Sequence, residues 1–348
     1  STFYRCTSLI SINIPDGMTS IGGSAFANCT SLISINIPDG VTSIGSYTFQ
    51  NCTALTDFNF NGTMAQWGAI TLGTDWNKDA AFTVVHCTDG DVIPPTPLIY
   101  SAKSAGSTIK VNGETVTLAK GNNIVLDYPT EITSVAATNN TALTYIQIPN
   151  TVTTIKDFEN NDGAFYACTS LTSVTLPDTM TFIGAKAFVN CTSLTSIDIP
   201  DGVKSIGGSA FKGCSALASI TIPEGATFIG SNIFSNCSAL ASINIPSGVT
   251  KIADQTFANC TSLTSIDIPD GVTSIGMNAF GYCSSLVSVN IPNSVTKIDG
   301  YALANCSKLT DFNYNGTTSQ WASITLGTDW KYNAPFTVVH CSDGDVTL

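Results

Sequence analysis

The chain has 348 residues, which at roughly 150 residues per domain suggests two domains. Hydrophobic residues make up 43% and charged residues 11%, so the chain can bury a large core and is too poorly charged for a charge-driven disordered protein. With 25 acidic against 13 basic residues the net charge is −12, which argues against nucleic-acid binding and against adsorption to anionic membranes. No apolar run approaches the roughly 20 residues of a membrane span, so we expect no direct membrane insertion.

The cysteines indicate an internal repeat that begins at the start of the chain. Consecutive cysteines lie 23 residues apart from Cys6 to Cys52 and again from Cys168 to Cys306. Disulfide frameworks have irregular spacings, whereas a constant period is typical of a solenoid built from stacked repeats. We therefore predict two tandem arrays in which each repeat shares its core with its neighbours.

Each 23-residue unit predicts one coil of the solenoid. In the unit from Cys191, apolar residues in L-x-x-L-x-L spacing predict a short strand, and Pro200 ends it because proline cannot donate to a ladder. An Ala-Phe pair then anchors a helical or 3₁₀ turn that leads to the next cysteine. We expect the phenylalanines of this pair to stack as one apolar column within each array; they are Phe26, Phe49, Phe165, Phe188, Phe211, Phe234, Phe257 and Phe280.

The first array covers residues 1–92. It begins inside a repeat, so we expect an N-terminally trimmed fragment whose uncapped first coil is exposed or takes part in end-to-end self-association. The cysteine step widens to 35 residues between Cys52 and Cys87 and again between Cys306 and Cys341. Residues 51–92 and 305–346 are copies of one another and hold all four tryptophans. We interpret these two cap segments as C-terminal caps; the alternative is an aromatic ligand pocket.

A Pro-rich linker, residues 93–97, follows the first array. Residues 108–118 alternate around Asn112-Gly113, the sequence signal of a β-hairpin, and we predict that residues 98–139 form an N-terminal cap of the second array. The alternative is a small separate β element with its own binding role. The second array covers residues 140–348 and starts with a degenerate unit that carries an insertion after Ile155.

The unit C-x-x-L-x-x-I-x-I-P-x-x-V-x-x-I-x-x-x-A-F resembles the Treponema pallidum-type leucine-rich repeat of BspA-like surface proteins, over residues 1–92 and about 140–348. The resemblance implies a right-handed leucine-rich-repeat solenoid of short parallel strands. It also implies a secreted or cell-surface protein of a bacterium or a parasitic protist. Several proteins of this kind act as adhesins toward host matrix or plasma proteins, or toward other microbes. The family supplies no catalytic residue and no fixed binding motif that could be transferred.

The outward strand positions are the predicted recognition surface, because solenoids bind through extended concave faces. They are small and polar and lack the Trp, Tyr and Arg that dominate binding hot spots, so we expect either weak multivalent binding or mere solvation of the sheet. In the second array these positions are Ser196, Asp198, Ser219, Thr221, Ser242, Asn244, Ser265, Asp267, Ser288 and Asn290. A second candidate is a loop site on the insertion, at Asp157, Phe158, Glu159 and Asp162, the alternative being an acidic bulge.

Residues that could carry chemistry are sparse. We expect the cysteines to be free, buried thiols and predict no metal site, since no C-x-x-C spacing occurs. His86 and His340 each precede a cysteine, but adjacent strand residues point to opposite faces, so a Cys–His nucleophile is not predicted. Asp89-Gly-Asp91 and its copy at 343–345 are better explained as solvated turns than as Ca²⁺ ligands. We therefore expect no enzyme and no cofactor.

Three functions remain open at this point. The first is an adhesin-like, extracellular or cell-surface protein-binding module that uses the concave face of the solenoid. The second is a passive stalk or spacer of a larger surface protein, which the uniform faces favour. The third, a glycan-binding or glycan-processing protein, would need a pocket lined by Trp and Asp at a cap segment.

Overall fold

The structure, a computed structural model, describes residues 2–92, 98–111, 114–118, 120–125, 135–155 and 163–348. The chain divides into two compact units, and the described residues up to Val92 form unit 1 while those from Leu98 onward form unit 2. Both units are solenoids of coils that stack through parallel strands, which confirms the predicted fold class. None of the helices within these ranges is long and apolar enough to span a bilayer.

Unit 1 stacks its strands in two ladders, one on each side of the coils. The first joins β1, β3, β5, β7 and β8, and the second joins β2, β4 and β6. The elements are β1 (Ser11–Asn13), β2 (Ser20–Ile21), β3 (Ser34–Ile37), β4 (Ser43–Ile44), β5 (Asp57–Phe60), α1 (Met64–Gly68), β6 (Thr71–Leu72), β7 (Val85–Cys87) and β8 (Gly90–Val92).

Unit 2 begins with antiparallel strands and continues as a parallel solenoid. The strands on either side of the predicted hairpin turn, β10 and β11, pair antiparallel, and residues 112–113 between them lie outside the described ranges. The elements up to residue 206 are β9 (Leu98–Ala102), β10 (Thr108–Val111), β11 (Glu114–Thr117), β12 (Gly121–Val125), β13 (Val135–Ala136), β14 (Leu143–Gln147), β15 (Thr154–Ile155), β16 (Ser173–Thr175), β17 (Phe182–Ile183) and β18 (Ser205–Ile206). The remaining elements are β19 (Phe228–Ile229), β20 (Lys251–Ile252), β21 (Ser265–Asp267), β22 (Ser274–Ile275), β23 (Ser288–Ile291), β24 (Lys297–Ile298), β25 (Asp311–Tyr314), α2 (Thr318–Trp321), β26 (Thr325–Leu326), β27 (Val338–Cys341) and β28 (Gly344–Thr347).

The core of each coil is a set of inward side chains in constant register. Strand pairs join residues one repeat apart, as Ser265 with Ser288, so identical side chains stack directly on one another. The phenylalanine column is confirmed: rings from Phe165 to Phe280 stack nearly parallel at centroid distances of 5.2–5.8 Å. Burial of these rings, at roughly 25 cal/mol per Å² of apolar surface, adds to that of the inward Leu, Ile and Val side chains in holding the coils together.

The segment that carries the Ala-Phe pair is a run of consecutive turns rather than a helix. Alternate backbone N–H groups of this turn segment donate to the next coil, as Phe188 N to Ala210 O at 2.7 Å and Asn190 N to Lys212 O at 2.7 Å. Asn190 adopts a left-handed backbone with φ of 58°, a conformation that asparagine tolerates better than most residues. Asparagine recurs before the cysteine for this reason, at Asn28, Asn51, Asn190, Asn236, Asn259 and Asn305.

Each cap segment buries its two tryptophans against the last coil. Helix α1 starts with a capping box, in which Thr63 and Gln66 exchange side-chain to backbone hydrogen bonds, and it buries Trp67. The indoles of Trp67 and Trp76 pack edge-on against Phe58 at centroid distances of 5.7 Å. The same arrangement recurs in unit 2 with the capping box of α2. All four tryptophans are therefore covered and offer no exposed platform to a ligand.

The ladder of two-residue strands in unit 2 is interrupted between the coils that start at Cys214 and Cys237, where β19 and β20 belong to separate sheets. On the other side of the coils, the predicted strand is wrong for the coils that start at Cys191, Cys214 and Cys237, which form only an isolated bridge from Asp198 to Thr221. Between the coils that start at Cys214 and Cys237 the Asn244 side chain bonds both the N–H and the C=O of Ile222. The turn segments stay joined here, with Phe234 N donating to Thr256 O at 2.9 Å. We call this place the coil junction.

Gly207 follows β18 directly, and its lack of a side chain allows two coils of unit 2 to approach closely. A Cβ on Gly207 would lie 2.4 Å from Ala185 N, whereas a Cβ on Gly208 would come no closer than 3.3 Å, to Ser231 O. The equivalent residue is Ala253 at the coil junction, yet Asp299 occupies the same position in a coil that keeps its pairing. A side chain here is thus not sufficient by itself to separate two coils.

We expect Gly207→Ala to lower the free energy of unfolding by about 1–3 kcal/mol, because two backbones must move apart. Gly208→Ala should change it by less than about 1 kcal/mol, since its Cβ would meet Ser231 O at 3.3 Å, a tight contact that a shift of the neighbouring coil by a few tenths of an ångström relieves. Urea unfolding of the two variants beside the parent chain checks this. Equal effects of the two substitutions would contradict the close-approach argument.

Candidate interaction surface

The ten predicted recognition residues lie on the outward face of the strand side of unit 2; this outward strand face is the candidate interaction surface. The eight from Ser196 to Asp267 are exposed, and Ser288 and Asn290 are half-buried. Register brings Ser265 beside Ser288 and Asp267 beside Asn290, and an isolated bridge joins Asp198 to Thr221. The four predicted loop residues, Asp157, Phe158, Glu159 and Asp162, fall outside the described ranges.

Side chains on the outward strand face partly satisfy one another. Asn290 Nδ2 donates to Asp267 Oδ1 at 2.6 Å. The Asn244 side chain bonds the backbone of Ile222 twice: its Oδ1 accepts from Ile222 N at 3.0 Å, and its Nδ2 donates to Ile222 O at 2.8 Å. The serines of this face donate no hydrogen bond of comparable length to a neighbouring side chain. The face is therefore a row of small hydroxyl and amide groups over flat backbone rather than a pocket.

The outward strand face ends at a His–Asp pair that is duplicated in the two units. His340 Nδ1 lies 2.9 Å from Asp345 Oδ1, and Asn313 is the register partner of His340 on the other side. In unit 1 the pair is His86 with Asp91, also at 2.9 Å. Both pairs are solvent-exposed. Neither pair was predicted from the sequence. A tight turn follows each histidine, and the antiparallel strands on its two sides place His and Asp directly opposite each other.

The acidic turns next to these pairs do not gather into a cation site. Asp89 Oδ1 accepts a hydrogen bond from Met64 N at 2.7 Å, and Asp343 accepts from Thr318 N at the same distance, so each carboxylate holds the first turn of a helix. Their neighbours Asp91 and Asp345 bond histidine instead. Within the described ranges, no group of three or more His, Cys, Asp or Glu side chains is placed to hold a metal ion.

All twelve cysteines are free thiols, as predicted, but only nine are buried, while Cys6, Cys87 and Cys341 are half-buried. The nine buried thiols each link two coils. Cys191 Sγ donates to Phe165 O of the preceding coil at 3.1 Å, and the same bond recurs through Cys306, which bonds Phe280 O at 3.1 Å. Burial raises the pKa of the Cys168, Cys237 and Cys306 thiols to about 12. Such thiols are protonated at neutral pH and unreactive.

The coil junction contributes a small recess of about 80 Å³. Its lining includes Phe228, Thr250 and Lys251, and the Phe228 ring is 56% exposed. Ligand and substrate sites generally have volumes of about 300–1,000 Å³, so this recess is too small for a substrate cleft. The outward strand face remains the more extended of the two features.

The sequence and fold match known proteins. The model of the BspA type leucine-rich repeat region matches in six copies, over residues 1–72, 130–264 and 227–325. A leucine-rich repeat protein from Bacteroides ovatus is 23% identical with a TM-score of 0.50, covering 96% of this chain and 84% of that one. The leucine-rich repeat protein of Treponema pallidum is 24% identical over 60% of this chain and 86% of its own, with a TM-score of 0.38.

A leucine-rich cell surface protein from Faecalibacterium prausnitzii is 28% identical, covering 91% of this chain and 90% of its own, with a TM-score of 0.39. No curated protein sequence matches the chain. The family match covers well over half of the residues, and the Bacteroides structure supports the solenoid fold alone.

Proposed function

The chain belongs to the BspA-type leucine-rich-repeat family, and from this premise we propose that it is a cell-surface or secreted protein-binding module of the adhesin kind. The proposed contact surface is the outward strand face, and the proposed partners are extracellular proteins, either host matrix and plasma proteins or proteins of other microbes. Members of this family are typically surface proteins with interaction or structural roles, which is the coarser statement on which the proposal builds.

One observation carries the proposal: the outward strand face presents eight exposed polar residues over four successive coils, from Ser196 to Asp267, with no bulky side chain between them. A partner chain can lie flat along such a surface and add many weak contacts. Enzymes instead concentrate an acid, a base and a nucleophile in a cleft. The buried tryptophans of the cap segments speak against a glycan platform.

The proposal predicts a saturable complex that is sensitive to charge and bulk on the outward strand face. The full chain is tested at physiological salt against fibronectin, fibrinogen, other matrix proteins and common glycans. A double variant, Ser219→Arg with Ser242→Arg, should weaken a protein hit at least tenfold, because both residues are exposed on adjacent coils. Ser231→Arg, exposed on the turn segment instead, is the matched control and should leave binding unchanged.

The second candidate function is a spacer, favoured by the side-chain bonds that Asn244 and Asn290 make within the face. If the folded protein binds no member of the panel, the result would contradict the adhesin proposal and favour the spacer. A hit on glycans alone, with no protein bound, would favour the glycan-binding alternative.

A further inference from the structure

Four large side chains are exposed together on the turn segments at the end of unit 2. Met277 is 51% exposed, Tyr282 54%, Tyr301 39% and Tyr332 52%. The turn segments that carry them are directly bonded to one another: Tyr282 N donates to Ala304 O at 2.8 Å, and Asn305 N donates to Tyr332 O at 2.6 Å. Asn278 N, next to Met277, donates to Gly300 O, next to Tyr301, at 3.2 Å. These four residues therefore share one surface, which we call the tyrosine patch.

The backbone at two of these tyrosines is unfavourable for their residue type. Tyr282 has φ of 62° and Tyr301 has φ of 58°, in the left-handed region where a bulky residue is an outlier. The equivalent positions in the preceding coils carry small or flexible polar residues, mainly asparagine. The tyrosines are also largely exposed, so burial does not offset the backbone strain. The left-handed backbone recurs at these two positions in coil after coil, so the conformation belongs to the repeat, and the departure from it is the bulky, exposed ring.

The composition of the tyrosine patch is that of a protein interface. Tyrosine is enriched among interface hot spots and methionine in interface cores. Unit 1 gives an internal comparison, because its cap segment is a copy of the one in unit 2. Tyr47 matches Tyr301 there, but Asn28 and Lys78 stand where unit 2 has Tyr282 and Tyr332, and Gly23 stands in place of Met277. Only unit 2 assembles the full patch.

The charges around the tyrosine patch are acidic. Tyr301 Oη donates to Asp329 Oδ2 at 3.2 Å, and this bond, together with the charge of Asp329, raises the pKa of Tyr301. Asp254 Oδ1 accepts from Met277 N at 3.0 Å. Two nearby cations are engaged elsewhere: Lys297 Nζ pairs with Asp299 Oδ1 at 2.7 Å, and Lys331 Nζ donates to Phe336 O at 3.1 Å and lies over the Phe336 ring. Tyrosine faces beside carboxylates are complementary to guanidinium groups, which stack on the rings and pair with the acids.

We infer that Met277, Tyr282, Tyr301 and Tyr332 form a docking surface for an arginine-rich segment of a protein partner. The inference rests on the proposed protein-binding function and deepens it, because it places a specific anchor on the turn side of the last coils. The outward strand face would then supply weak contacts along the solenoid, and the tyrosine patch would supply the contact that selects the partner.

The test titrates a fluorescent peptide of alternating arginine and alanine into the full chain at physiological salt, beside a glutamate counterpart. The variant Tyr282→Asn with Tyr332→Gln removes two rings without changing charge. It should bind the arginine peptide at least tenfold more weakly. Its melting temperature should equal or exceed that of the parent, because asparagine relieves the left-handed strain at position 282. Phe228→Asn, which removes an exposed ring outside the patch, is the matched control and should bind normally.

Equal binding by the parent chain and the double tyrosine variant would overturn the inference, since attraction to the net acidic chain would then suffice. Absence of saturable arginine-peptide binding, or equal binding of the glutamate peptide, would overturn it as well. The inference would also fail if the tyrosine variant lost glycan binding or self-association but still bound the arginine peptide normally. A screened protein could bind the Ser219 and Ser242 variant more weakly but the tyrosine variant as well as the parent chain. That result would support the proposed function and contradict this inference.

Discussion

Raising the pH above 9 should unfold unit 2 through its buried thiols. In the unfolded chain a thiol ionises near pH 9, whereas Cys168, Cys237 and Cys306 hold their protons to about pH 12 in the folded state. The unfolded chain therefore releases protons first, and stability that is fully present below pH 9 is lost as the pH rises toward 12.

The expected loss of folding free energy is large because the contributions of the raised thiol pKa values add. Each pKa unit corresponds to about 1.4 kcal/mol, so three thiols together remove about 4 kcal/mol of folding free energy for each pH unit above 9. Burial also raises the pKa of Cys191, Cys214, Cys260 and Cys283, which acts in the same direction. A domain is stable by only about 5–15 kcal/mol, so the unfolding midpoint should fall at about pH 10 to 11.

Circular dichroism with urea titration between pH 8 and 11, under reductant, measures this slope. The triple variant Cys168→Ala, Cys237→Ala and Cys306→Ala should lose stability with pH less steeply by about 4 kcal/mol per unit. Tyrosines and lysines titrate in the same range, but they are identical in both proteins and cancel in the comparison. Burial also raises the pKa of the half-buried Cys341, so Cys341→Ala is a single-thiol comparison that should reduce the slope by no more than about 1.4 kcal/mol per pH unit. Identical slopes for the parent and the triple variant would refute the role of the buried thiols.

The repeat architecture was predictable because the sequence is redundant. Eight copies of one 23-residue pattern locate the inward Cys, Leu, Ile and Phe positions far better than any single copy could. The phenylalanine column and the free thiols followed from that register. Sequence alone could also place the ten residues of the outward strand face, since strand alternation around Ile197 and Ile199 leaves Ser196 and Asp198 on the other side.

Features that depart from the repeat consensus were not predictable. The strands that are missing from the coils starting at Cys191, Cys214 and Cys237 could not be foreseen, because these coils carry the same L-x-x-L-x-L spacing as coils that form strands. The His340–Asp345 pair depends on a hairpin register. The tyrosine patch needs the left-handed conformation of Tyr282 and Tyr301 to be known.

The coil junction should divide unit 2 into two parts that unfold separately. Coils of a solenoid are stabilised by contacts with their nearest neighbours, and between β19 and β20 the ladder that joins other coils is missing. Phe280→Ala removes a fully buried ring from the column, which generally destabilises by about 3–5 kcal/mol. We expect that loss to remain on the C-terminal side of the junction, so that coils from residue 237 onward open while those before residue 230 stay folded.

Hydrogen exchange read peptide by peptide tests the division. In Phe280→Ala, amides of residues 260–348 should exchange much faster than in the parent chain, while amides of residues 168–229 keep most of their protection. Phe188→Ala should give the mirror image, because Phe188 is equally buried on the other side of the coil junction. Uniform loss of protection across residues 168–348 in both variants would mean that the remaining bonds, Phe234 N to Thr256 O and its neighbours, couple the two parts fully. Separate opening would instead confine the tyrosine patch to a part that can open without disturbing the coils before the junction.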